Sequence, residues 1–164
     1  MTFTHRCRML LALCFALAGL VSTLTTLPAA PLPDGWGVHK GKTLTIGVPP
    51  GFTVDDVSPS EVNFINEEEQ IMFSVYVPAG STPPKMMDVE VGEKLTEKES
   101  NTKGKVIETQ MTMKGKNYIR FVVSLEEEGQ DSTVCWGIRV PNMEEYKRVR
   151  PLYMEWKKTL TRRN

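Results

Sequence analysis

Residues 105–140 read KVIETQMTMKGKNYIRFVVSLEEEGQDSTVCWGIRV, and the fold turns on this stretch. Three runs of strand-forming residues stand in it: Lys105–Met113, Lys116–Leu125 and Ser132–Val140. Lys114-Gly115 and Glu126–Asp131 (EEEGQD) separate them and have the composition of hairpin turns. The last run, STVCWGIRV, reads as a buried strand. Cys135 lies inside it and reads as a small core residue rather than a reactive thiol.

Towards the N-terminus the same period continues. Lys42–Val48 (KTLTIGV) alternates, with Leu44, Ile46 and Val48 on one side, and Pro49-Pro50-Gly51 stops it. Glu61–Asn66 and Gln70–Val77 form the next strand pair across Glu67-Glu68-Glu69. Phe64, with Met72, Val75 and Val77, is expected to supply its apolar face. Pro78–Pro84 reads as a loop. In Met87–Ser100, Met87, Val91 and Leu95 recur every four residues among Lys and Glu, which predicts a surface helix closed by a turn at Asn101–Gly104.

Beyond Pro141 the period becomes helical, through Met143, Tyr146, Val149, Tyr153, Trp156 and Leu160. Pro151 predicts either a kink or a break near Arg150 with a second helix starting at the proline. The order is three strands, a helix, three strands and a closing helix. It implies an α+β fold, an antiparallel sheet of about six strands with helices packed on it.

The ends carry a different message. His5, Arg6 and Arg8 precede the apolar run Met9–Val21, and Pro28-Ala29-Ala30-Pro31 follows. This is the layout of a secretory signal peptide over residues 1–30, cut after Ala29 or Ala30. An uncleaved anchor over Leu10–Leu27 is the alternative, and then the leader is the chain's only membrane contact. Leu13, directly before Cys14, argues against a lipid anchor there. Residues 31–41 read as an extended lead-in, and residues 42–164 as a single domain. Export places the protein in the periplasm of a bacterium, or outside the cell otherwise. Cys7 and Cys14 leave with the leader, so Cys135 cannot form an internal disulfide and packing must hold the domain together.

The 164 residues are 40% apolar and 24% charged with no net charge, which excludes intrinsic disorder, collagen and a multi-span membrane protein. A generally basic nucleic-acid binder is excluded on the same ground. The charge is nonetheless uneven. Residues 31–141 carry seventeen acids and eleven bases, whereas residues 142–164 carry seven bases and three acids. A basic element on an acidic body can meet an anionic partner, or it is simply a solvated helix face.

Catalytic and metal signals are thin. His39 is the only histidine after the leader and reads as a lone surface residue of the lead-in. One Cys and one His cannot close a structural zinc site. Glu67–Glu69 and Glu126–Glu128 lack the alternating ligands and turn glycine of a calcium loop and read as charged hairpin tips. Met111 and Met113, and Met86-Met87, suit core filling better than copper. No phosphate loop or dinucleotide fingerprint is present. No cofactor, metal or catalytic residue is therefore expected.

The strand ending Gly47-Val48-Pro49-Pro50-Gly51-Phe52, behind an exported leader, resembles the opening of the PsbP/DcrB-like family. The hairpin, helix, meander and closing helix bearing Tyr146, Tyr153 and Trp156 are similar to that family's order of elements. Phe52 stands where many members have Trp. The family spans a photosystem extrinsic subunit, a nuclear import factor binding Ran, and bacterial envelope proteins and secretion adaptors. The resemblance implies a PsbP-like fold, no catalytic residues, and a binding or assembly role. The expectation is thus a non-enzymatic exported protein that binds another protein of the cell envelope, with Arg148, Arg150, Lys157 and Lys158 as the candidate partner-binding residues. The alternative is a periplasmic protein that binds a small ligand or metal ion. A carboxylate-only enzyme such as a glycosidase stands third, because the acids cluster in turns.

Overall fold

The computed structural model describes residues 31–78, 84–102, 105–114, 117–127 and 134–163. The expected leader, with Cys7 and Cys14, lies outside the described residues, as do parts of the expected connections (79–83, 103–104, 115–116 and 128–133). In chain order the strands are β1 (Gly37–Lys40), β2 (Leu44–Val48), β3 (Thr53–Ser58), β4 (Glu61–Asn66) and β5 (Ile71–Tyr76). A 3-10 turn at Lys85–Met87 follows, then β6 (Lys94–Thr102), β7 (Lys105–Lys114), β8 (Tyr118–Glu127) and β9 (Val134–Val140). One α-helix, α1 (Met143–Lys158), and the short β10 (Thr161–Arg162) close the described chain.

Two antiparallel meanders join edge to edge. β3-β4-β5 meets β6-β7-β8-β9 along β5 and β9, which gives the order β3-β4-β5-β9-β8-β7-β6. Ser74 lies opposite Gly137 and Val75 opposite Trp136 at that seam. β5 and β9 are therefore central, and nearly every residue in them is buried. Their sequences run apolar instead of alternating because both faces of the sheet are covered there. A second sheet, β1-β2-β10, ties the described N-terminal strands to the end of the chain. Gly37–Lys40, within the segment expected as an extended lead-in, pairs with β2 as β1.

The core lies between the large sheet, the helix and the small sheet. Phe64, Phe73, Val75, Trp136 and Ile138 from the sheet meet Val149, Tyr153 and Trp156 from the helix and Leu44 and Ile46 from β2. Trp156 is fully buried, with ring centroids 5.2 Å from Phe64, 5.2 Å from Phe73 and 5.5 Å from Trp136. Such aromatic contacts add roughly 1 kcal/mol each to the area they bury. Its indole N–H donates to the Gly47 carbonyl at 3.1 Å, and the Gly47 N–H donates to Thr159 Oγ1 at 2.9 Å. The end of α1 is thereby fixed to β2.

Several expectations change. The surface helix expected over 87–100 is a 3-10 turn and the start of β6. Gly92 takes a left-handed φ of +86°, which interrupts a helix, and the Lys/Glu-rich segment after it pairs with β7 as an edge strand. Met72 does not share a face with Val75 and Val77, because its position in β5 is of opposite parity and it faces away from the helix. The helix runs unbroken through Pro151. Its start is set by Asn142, whose side chain accepts from the N–H groups of Glu144 and Glu145 at 3.0 Å. β3 escaped the sequence reading, since TVDDVS is an exposed edge strand with no apolar alternation. The main sheet has seven strands where about six were expected, and among the described residues a single α-helix packs on it.

Candidate functional site

Arg120 stands near the start of β8, between Ile119 and Phe121, and points to the sheet face away from the helix. It is 4% exposed, so its charge must be met inside the protein. Glu93 meets it, at 3.0 Å from Nε and 2.5 Å from Nη2. Two more guanidinium N–H groups donate to the carbonyls of Met86 (2.6 Å) and Asp88 (2.7 Å). The Tyr118 hydroxyl donates to Glu93 at 2.7 Å. Burial alone would raise the Glu93 carboxyl, but hydrogen bonds from Arg120, Tyr118 and the Glu90 N–H outweigh it and hold it below the usual carboxylate range. Burial, followed by the bond to Glu93, pushes the Tyr118 hydroxyl upward. One buried arginine thus holds residues 86–93 as a strap across the far face of the sheet.

Beneath the strap is a cavity of about 350 Å³. Glu61, 6% exposed, opens β4 on its wall and accepts the Lys85 N–H at 3.2 Å. Burial raises the Glu61 carboxyl, and the N–H groups of Lys85 and Met86 oppose that rise only in part. Next along the same wall, Ser74 Oγ donates to Asn63 Oδ1 at 2.7 Å. Met72, Met86 and Val122 supply the apolar lining. Gly137 makes the room: a Cβ there would lie 3.1 Å from that of Ser74. Among the described residues no three His, Cys, Asp or Glu side chains converge as a metal site would require.

The second candidate surface is the outside of α1. Met143, Lys147, Arg150, Met154 and Lys158 recur every three or four residues and all are exposed. Lys147, Arg150 and Lys158 carry no ion pair among the described residues. The four basic residues singled out from the sequence do not form one patch. Arg150 and Lys158 belong to this outer stripe. Arg148 lies to one side, held by Glu145 at 2.8 Å and Glu69 at 3.1 Å. Lys157 lies on the other side, over the rings of Trp136 (5.1 Å) and Tyr153 (5.5 Å), where burial lowers its pKa.

Other sequence candidates find plainer places. His39 is not a surface residue of a lead-in. It sits in β1 at 14% side-chain exposure, edge-on to Phe64, with Nε2 3.1 Å from Asp56 Oδ1 but not aligned for a hydrogen bond. Cys135 is fully buried with Tyr76, Met86 and Val122. Glu67–Glu69 form the β4–β5 turn, where Gln70 takes a φ of +56°. The side chains of the Glu126–Glu128 cluster lie outside the described residues. The strap, Glu93 and Glu61 were missed. The available signal was a lone arginine inside an apolar strand run, which requires a buried acid somewhere in the chain.

No family model matches the chain, and no curated protein does. Solved structures are similar at low identity. Cyanobacterial PsbP (CyanoP) from Synechocystis sp. PCC 6803 matches with a TM-score of 0.47 and 14% identity, over 84% of this chain and 100% of its own. The Ran-binding protein Mog1p of Saccharomyces cerevisiae matches with a TM-score of 0.42 and 14% identity, over 72% and 89%. A mutant Mog1 also matches at 0.42 and 14%, over 79% and 96%.

Proposed function

We propose that the protein is a non-catalytic, PsbP-like exported protein, a binding or assembly module of the cell envelope, and that it docks an acidic surface of another envelope protein through the outer stripe of α1. The observation that carries this reading is the row of exposed cations Lys147, Arg150 and Lys158, without an ion pair among the described residues, on the same stripe as Met143 and Met154. Long-range attraction brings an acidic partner to such a row, and methionines adapt to an uneven surface. The leader-like residues 1–30 support export.

In-cell cross-linking from a residue beside the stripe, compared between the wild type and the triple variant Lys147→Glu, Arg150→Glu, Lys158→Glu, tests it. The expected result is one envelope adduct that the triple variant loses while its melting temperature stays unchanged. Arg148→Glu should retain the adduct, since Arg148 faces Glu145 and Glu69. An adduct indifferent to the triple variant overturns the reading.

A further inference from the structure

The geometry points to the cavity beneath the strap as a binding site for a small primary amine, with the Glu61 carboxylate receiving the ammonium. The cavity lies on the sheet face away from α1, so it is independent of the outer stripe.

At about 350 Å³ it has room for a ligand of modest size, near the lower end of ordinary ligand pockets. Its walls differ in chemistry. Met72, Met86 and Val122 would take an alkyl or aryl body, while Asn63 and Ser74 offer polar atoms beside it. Charge selects the head group. Glu61, Asp88 and Glu90 line the cavity against one lysine, Lys85, at an exposed position. Arg120 also reaches it, but Glu93 and two backbone carbonyls already meet its charge. Among the described residues an anionic ligand would find no free cation at depth, whereas a neutral one would leave Glu61 as it stands.

Glu61 is almost wholly buried and has no ion pair among the described residues. A carboxylate so placed is costly to ionise unless a cation joins it. Burial raises this carboxyl although the backbone N–H groups of Lys85 and Met86 bond to it, so an ammonium reaching the cavity would offset a cost that the protein itself meets only in part. Gly137 supports the same conclusion, since a side chain there would press on Ser74 and fill the floor. The strap supplies an edge that can admit a ligand, because Met86 and Asp88 are held through their carbonyls and leave their side chains to the cavity.

Calorimetric titration of the full chain with n-butylamine and with putrescine tests this, with butanol and butyrate as neutral and anionic probes of similar size. Saturable binding of an amine, one per chain, with neither control binding, is the expected result. Glu61→Gln should weaken it at least tenfold, and Lys85→Met should tighten it by removing the internal rival cation. The triple variant of the outer stripe should bind amines as the wild type does. Equal binding of butanol, absence of saturation at millimolar amine, or unchanged affinity in Glu61→Gln overturns the proposal.

Discussion

Two buried carboxylates on the far face of the sheet answer to opposite forces. Glu93 gains more from Arg120 and Tyr118 than it loses to burial, and its pKa is depressed. Its contribution is present above the unfolded carboxylate value, about 4.3, and is lost as pH falls through the folded value. For Glu61 burial prevails and the pKa is raised. Its favourable part is present below about 4.3 and is lost as pH rises through the folded value, so at neutral pH its ionised form opposes folding. Glu93→Gln should therefore cost about 3 kcal/mol at pH 7, because Arg120 is left buried without its anion, with a smaller penalty in acid. Glu61→Gln should stabilise at pH 7, with the gain shrinking towards pH 4. Urea unfolding of both variants across that range measures the two trends, and a loss of stability in Glu61→Gln at pH 7 would show that Glu61 is a structural anchor.

At the scale of elements, the joint between α1 and β2 rests on one glycine. A Cβ at Gly47 would stand 2.9 Å from Leu32 Cδ2, 2.9 Å from Trp36 Cε3 and 3.1 Å from Thr159 Oγ1. Gly37, on the paired strand β1, would place its Cβ an ordinary 3.5 Å from that of Val48. Gly47→Ala should cost roughly 1–3 kcal/mol through overpacking, while Gly37→Ala should be neutral or slightly stabilising. Thermal melts of the pair decide the matter, and equal effects at the two sites would remove the joint from the account.

Legibility in the sequence follows the same physics. β9 and α1 were readable because burial makes most of VCWGIRV apolar and gives α1 its periodic apolar face. β3 and β6 were not, since an edge strand has few apolar contacts and carries charges that mimic a surface helix or a loop. The outer stripe was visible as a surplus of bases but not in its membership, because pairing with Glu69 and stacking on Trp136 are tertiary events. The cavity was invisible. Arg120 and Glu93 are 27 residues apart, and only the strap brings them together.

For the whole molecule, the described fold is knitted from its two ends. β10 pairs with β2, the Arg163 N–H donates to the Thr43 carbonyl at 2.8 Å, and Thr159 receives the Gly47 N–H across 112 residues of chain. These bonds close the small sheet over Leu44 and Ile46, which are core residues shared with the helix. Deleting residues 159–164 should accordingly do more than fray a terminus. It removes the acceptor of the Gly47 N–H and uncovers one edge of β2, at a combined cost of about 1–3 kcal/mol. A loss of that size lowers the melting temperature by roughly 5–10 °C in a domain of this length. The outer stripe and the strap lie outside the deleted segment, so below the new midpoint both binding readouts should persist. A truncated chain that melts with the wild type would mean that α1 is held by its aromatic face alone, through Tyr153 and Trp156, and that β10 contributes nothing to closing the core.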